Sequence, residues 1–91
     1  MATPTTSITE KTLTDACLDR LSATHVEVVD VSGGCGQSFD IKIVSKEFEG
    51  VSTLQRHRMV NNALKEEISH LHAFSQKTFT PSQWLKEQQQ Q

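Results

Sequence analysis

Valine alternates with polar residues along His25-Val26-Glu27-Val28-Val29-Asp30-Val31, the period of a half-buried strand. Phe39, Ile41 and Ile43 alternate with Asp40 and Lys42 in a second stretch of the same kind. The connection from Ser32 to Ser38 is short and glycine-rich, so the two strands should form an antiparallel hairpin. On either side the period lengthens. Leu13, Cys17 and Leu21 recur at helical spacing, and Ser7-Ile8-Thr9-Glu10 ahead of them fits a capping box. A helix is therefore expected from there to near Ser22. Beyond the hairpin, Lys46 to Thr53 is polar with a turn at Glu49-Gly50. Leu54, Val60, Ala63, Leu64, Ile68 and Leu71 then make the stripe of one amphipathic helix from Leu54 to Leu71.

The segment Ala73 to Phe79 reads as a third strand. A strand–helix–strand connection of this length crosses over right-handed, which makes the third strand parallel to the second and its neighbour. Thr80-Pro81-Ser82-Gln83 starts a last helix, with Thr at the N-cap, Pro at the first helical position and Gln at N3. Trp84 and Leu85 are expected to fold that helix back on the domain, and Gln88 to Gln91 to fray. The predicted fold is α/β of the α+β kind. Its order is α-β-β-α-β-α, with a three-stranded mixed sheet and helices mostly on one face. Residues 1–7 are expected to be a flexible N-terminus, 8–87 one domain and 88–91 a tail, with no internal repeat.

Composition narrows the possibilities. With 91 residues the chain has room for one domain and a net stability on the order of 5–14 kcal/mol, which leaves little to hold a strained catalytic site. Apolar residues make up 35% and charged residues 22%, as in an ordinary globular protein. A formal charge of −2 and a pI near 6.0 give no electrostatic footprint for a phosphate backbone. No apolar run is long enough to span a bilayer. Met1 to Glu10 is rich in Thr and Ser without arginine or an apolar block, so neither a secretory signal nor a mitochondrial presequence is expected.

The two cysteines differ in setting. Cys17 lies on the apolar stripe of the first helix and should be a core residue. Cys35 sits in Gly33-Gly34-Cys35-Gly36, a loop with no bulky neighbours, where a ligand or reactive thiol would be placed. A reducing compartment argues against a disulfide between them. Of the four histidines, His57 within Arg56-His57-Arg58 reads as part of a solvated basic turn, and His25 as an exposed edge residue. His70 and His72 are two apart, so they are not a helical chelate. His72 stands where the long helix meets the third strand. If that strand neighbours the second, the cysteine loop lies near the same end of the sheet. Thiolate and imidazole suit a soft or borderline metal, but two ligands are too few to close a tetrahedral site. On pattern alone the two need not be related; if they are, a site completed by another molecule fits better.

Enzymatic readings lack parts. Cys35 with His72 has no clearly placed Asn or Asp to orient the histidine. There is no Cys-x-x-Cys pair for thioredoxin-like chemistry. The element order is KH-like, yet the G-x-x-G of Gly33 to Gly36 lies in a hairpin, whereas the KH clamp lies between two helices. Nucleic-acid binding is therefore a minor alternative.

Several pieces together resemble BolA-like proteins, and in particular their cytosolic eukaryotic branch. They are Gly34-Cys35-Gly36-Gln37-Ser38-Phe39-Asp40-Ile41, Val44-Ser45 through Phe48-Glu49-Gly50, Gln55-Arg56-His57-Arg58-Met59-Val60-Asn61, His72-Ala73-Phe74-Ser75-Gln76-Lys77-Thr78 and Thr80-Pro81-Ser82-Gln83-Trp84. The resemblance covers the chain from the first helix onward. It implies a KH-related fold, no catalysis, and pairing with a monothiol glutaredoxin around a bridging 2Fe–2S cluster. In such a site the glutaredoxin and glutathione each supply a thiolate. His72 is the ligand implied from the His-Ala-Phe segment and Cys35 the ligand implied from the hairpin loop. The implied roles are iron sensing and cluster trafficking or maturation, in the cytoplasm and also the nucleus. An imidazole in place of a thiolate raises a cluster's reduction potential and binds only when neutral. The alternatives left open are a metal-independent adaptor of glutaredoxin and a nucleic-acid-binding regulator.

Overall fold

The computed structural model describes residues 8–33 and 38–89. Their elements are α1 (Glu10–Arg20), β1 (His25–Asp30), β2 (Ser38–Val44), a 3-10 turn (Lys46–Phe48), α2 (Thr53–Ala63), α3 (Lys65–Ile68), β3 (Ala73–Phe79) and α4 (Pro81–Gln89). The sheet order is β1-β2-β3, with β1 antiparallel and β3 parallel to β2, as the alternation predicted. In the register Val28 faces Ile41 and Ile41 faces Gln76. One sheet face therefore gathers Val26 and Val28, Phe39, Ile41 and Ile43, and Phe74. Against it pack Leu13, Ala16 and Cys17 of α1 with Val60 and Leu64, closing one apolar core. Each large side chain in it contributes roughly 1.5–3 kcal/mol by leaving water.

Among the described residues, the opposite face is covered at one end only. The register aligns His25, Val44 and Phe79 there, and Trp84 of α4 lies over them. Its ring centroid is 5.1 Å from that of His25 and 5.1 Å from that of Phe79, and Lys42 Nζ stands 5.9 Å away. Leu85, expected to share this return, is 58% exposed, so Trp84 carries it. The predicted capping box at α4 forms reciprocally. The Thr80 N–H donates to Gln83 Oε1 at 2.9 Å, and the Gln83 N–H to Thr80 Oγ1 at 3.2 Å. Because α4 runs to Gln89, the first two of the four terminal glutamines are helical.

Several expectations need correction. The cap of α1 is Thr9, whose Oγ1 accepts from the Thr12 N–H at 3.1 Å; Ser7 lies outside the described residues. Glu10, assigned to the box, instead accepts from the Asp30 N–H at 3.2 Å and ties α1 to the outer edge of β1. The single helix expected from Leu54 to Leu71 is two, α2 and α3, separated at Leu64 with φ −107° and ψ 20°. Arg20 explains where the break falls. Its Nη1 donates to the Ala63 carbonyl and to Glu67 Oε1, both at 2.9 Å, so the last turn of α1 clamps the joint. Burial would raise the Glu67 carboxyl, but the hydrogen bond from Arg20, its own backbone N–H and the charges of Arg20 and His70 outweigh this and lower it. Leu54 points outward at 60% exposure, and Arg56, read as solvated, is buried in its place.

Nor is the polar stretch after β2 a plain loop. Ser45 is fully buried with its groups paired: the N–H donates to the Phe79 carbonyl, the hydroxyl donates to the Leu21 carbonyl and accepts from the Glu47 N–H. That anchor starts the 3-10 turn, which drives Phe48 into the core.

Cys17 is a free, fully buried thiol, as its place on the stripe predicted. Burial pushes it from an ordinary 9.0 up to about 12. A folded-state value above the unfolded one adds stability that is complete below pH 9 and lost as pH climbs toward 12. The stability difference between wild type and Cys17→Ala should therefore shrink as urea unfolding is repeated from pH 7 to above pH 9. A difference independent of pH would contradict this account of the thiol.

Candidate functional site

The hairpin loop closes on itself before it reaches any ligand position. The Val31 N–H donates to the Ser38 carbonyl at 2.9 Å, and Asp30 Oδ1 accepts from the Ser32 N–H at 2.8 Å, an Asx turn at the loop's first arm. Gly33 follows with φ +80°, a left-handed conformation that favours glycine. Ser38, at the far arm, faces Ala73 across the parallel pair. His72 immediately precedes Ala73. The loop mouth and His72 thus share one end of the sheet, opposite the end that Trp84 covers.

His72 is exposed, and among the described residues its ring has no hydrogen bond, ion pair or ring contact. Of the other histidines, His25 and His57 differ. His25 stacks on Trp84 and meets Glu27 Oε2 at 3.0 Å. His70 is exposed like His72, and its nearness to Glu67 is the least of the influences that lower that carboxyl. His57 is half-buried in a cleft beside β3. Cys35 lies outside the described residues. Among those residues no group of three or more His, Cys, Asp or Glu side chains is placed to hold a metal ion.

Sequence reasoning overlooked the buried Arg56. Its Nε donates to the Val51 carbonyl and its Nη1 to Gln83 Oε1, each at 2.8 Å, with the guanidinium 5.8 Å from the Phe48 ring centroid. The available signal was Gln83 itself, because a capping glutamine has an acceptor to share. Arg56→Lys keeps one charge but not the planar fork that serves both acceptors. It should cost about 1–3 kcal/mol in urea unfolding, and a loss near zero would contradict the role assigned to the fork.

Comparison with known proteins agrees with this architecture. The family of BolA-like proteins matches residues 18–83. The BOLA2 protein of Arabidopsis thaliana is 47% identical over 78 residues, 85% of this chain and 84% of that one. BolA-like protein 2 of Homo sapiens is 54% identical over 70 residues, 76% of this chain and 81% of its own. Among solved structures, a bol-like protein from Babesia bovis superposes with a TM-score of 0.81 at 36% identity, over 93% of this chain and 99% of that one. The chain belongs to the BolA-like family. Within it, its similarity is to the eukaryotic BolA2 proteins.

Proposed function

We propose that this chain is a non-catalytic partner of a monothiol glutaredoxin, contributing His72 and Cys35 to a 2Fe–2S cluster held jointly with the glutaredoxin and glutathione. The proposed roles are iron sensing and cluster trafficking or maturation, in the cytoplasm and also the nucleus. The observation that carries the reading is the exposed His72 ring, unpartnered among the described residues and standing beside the hairpin-loop mouth. Family membership supports it as well. An imidazole without an internal partner is free to serve an outside metal centre, and His72 stands one residue before β3 begins. When bound, the cluster would supply redox and iron-dependent signalling chemistry. What this chain would contribute is an exposed imidazole nitrogen from His72 and a thiolate from the loop.

Co-expression with a monothiol glutaredoxin tests the proposal. A brown heterodimer that loses its colour when glutathione is withheld is the expected result. A colourless but stable complex would overturn the cluster role and favour a metal-independent adaptor.

A further inference from the structure

The two edges of the sheet are not equivalent. On β1, the outward Asp30 N–H is taken by the Glu10 carboxylate. On β3 nothing comparable occurs. The Phe79 carbonyl points to β2, where it accepts from the Ser45 N–H at 3.0 Å. Strand alternation then turns the backbone N–H and C=O groups of Phe74, Gln76 and Thr78 away from the sheet. None of the described residues pairs with them. Beside this edge, between it and the start of α2, is a cleft of about 300 Å³ lined by Thr53, His57, Gln76, Lys77, Thr78 and Phe79. The lining carries a lysine and a histidine and no carboxylate. Gln76 also carries a buried Oε1 with no partner among the described residues, while its Nε2 donates to Asn61 Oδ1 at 2.9 Å.

We propose that the outer edge of β3 takes an extended, acidic peptide segment of a partner protein as a fourth strand. Its backbone pairs with Gln76 and Thr78, and its carboxylates face Lys77. Strand addition to a free edge draws affinity from main-chain hydrogen bonds and specificity from alternate side chains. The charges select the occupant. Lys77 is exposed and its cross-strand neighbour on β2 is Lys42, so a second copy laid edge to edge brings like charges together. A nucleic-acid backbone fits less well, because its phosphates only accept and leave the outward carbonyls to ribose hydroxyls alone, whereas a peptide strand offers regularly spaced N–H donors. This surface does not depend on the metal-site reading.

The test is fluorescence anisotropy with a fluorescein-labelled peptide of alternating glutamate and valine. A lysine–valine peptide and a single-stranded oligouridylate serve as comparisons, and amide hydrogen exchange is followed by NMR. The acidic peptide should bind in preference to both and slow exchange at Gln76 and Thr78. Lys77→Glu, an exposed change that leaves the circular dichroism unaltered, should weaken binding about five- to tenfold and favour the lysine–valine peptide. No saturable binding, preference for the oligouridylate, or protection at Val26 and Val28 on the other edge would each overturn the proposal.

Discussion

Phe48→Ala is expected to lower the unfolding free energy by about 3–5 kcal/mol, the usual cost of truncating a buried phenylalanine. Phe48 is 0% exposed and part of the single core, so its loss leaves a cavity among residues from several elements. It also removes the ring under the Arg56 guanidinium, which stays buried with its two acceptors. Against a total of roughly 5–14 kcal/mol for a domain of this size, the variant should be near the threshold of folding at ordinary temperature. Urea unfolding followed by circular dichroism measures it. A loss under about 1 kcal/mol would mean that the turn at Lys46–Phe48 can collapse onto the gap, and that Phe48 is not the wedge described above.

His72→Ala should behave in the opposite way. The ring is exposed and pairs with nothing among the described residues, so the stability change should lie within about 0.5 kcal/mol. Cluster retention by the glutaredoxin complex should nonetheless fall at least about tenfold, since even indirect supports of a metal site affect affinity on that scale. Separation of the two effects is the signature of a ligand, because a structural histidine would move both. His70→Ala is the control. It is two residues away, and its charge acts on Glu67.

The strands were legible because their alternation is undisturbed. Ala73–Phe79 matches the expected third strand residue for residue, and the two others differ from expectation only at their ends. The Thr80–Gln83 capping box was legible because both of its bonds are local in sequence. What escaped depends on distant partners. Arg20 reaches Ala63 and Glu67 across more than forty residues, and no window of the helix pattern contains that contact. Arg56 looked solvated because its partners Val51 and Gln83 come from a turn and from the last helix. Phe48 was hidden in a polar stretch where a single buried ring produces no period. At the candidate site, the approach of the loop mouth to His72 follows from strand order and register, which the pattern supplied. The fold sets His25 against Trp84 and His57 in a cleft beside β3 but leaves both His70 and His72 exposed, so between those two only the place of His72 at the loop mouth differs, and that follows from strand order and register.

The central claim is that His72 ligates a shared cluster. The most direct measurement is the visible absorption and circular-dichroism spectrum of the purified glutaredoxin complex, prepared in parallel with wild type, His72→Ala, His70→Ala and Cys35→Ala. The account predicts a changed or lost cluster spectrum for His72→Ala, a wild-type spectrum for His70→Ala, and an altered one for Cys35→Ala. A His72→Ala complex with the unchanged spectrum of wild type would contradict it.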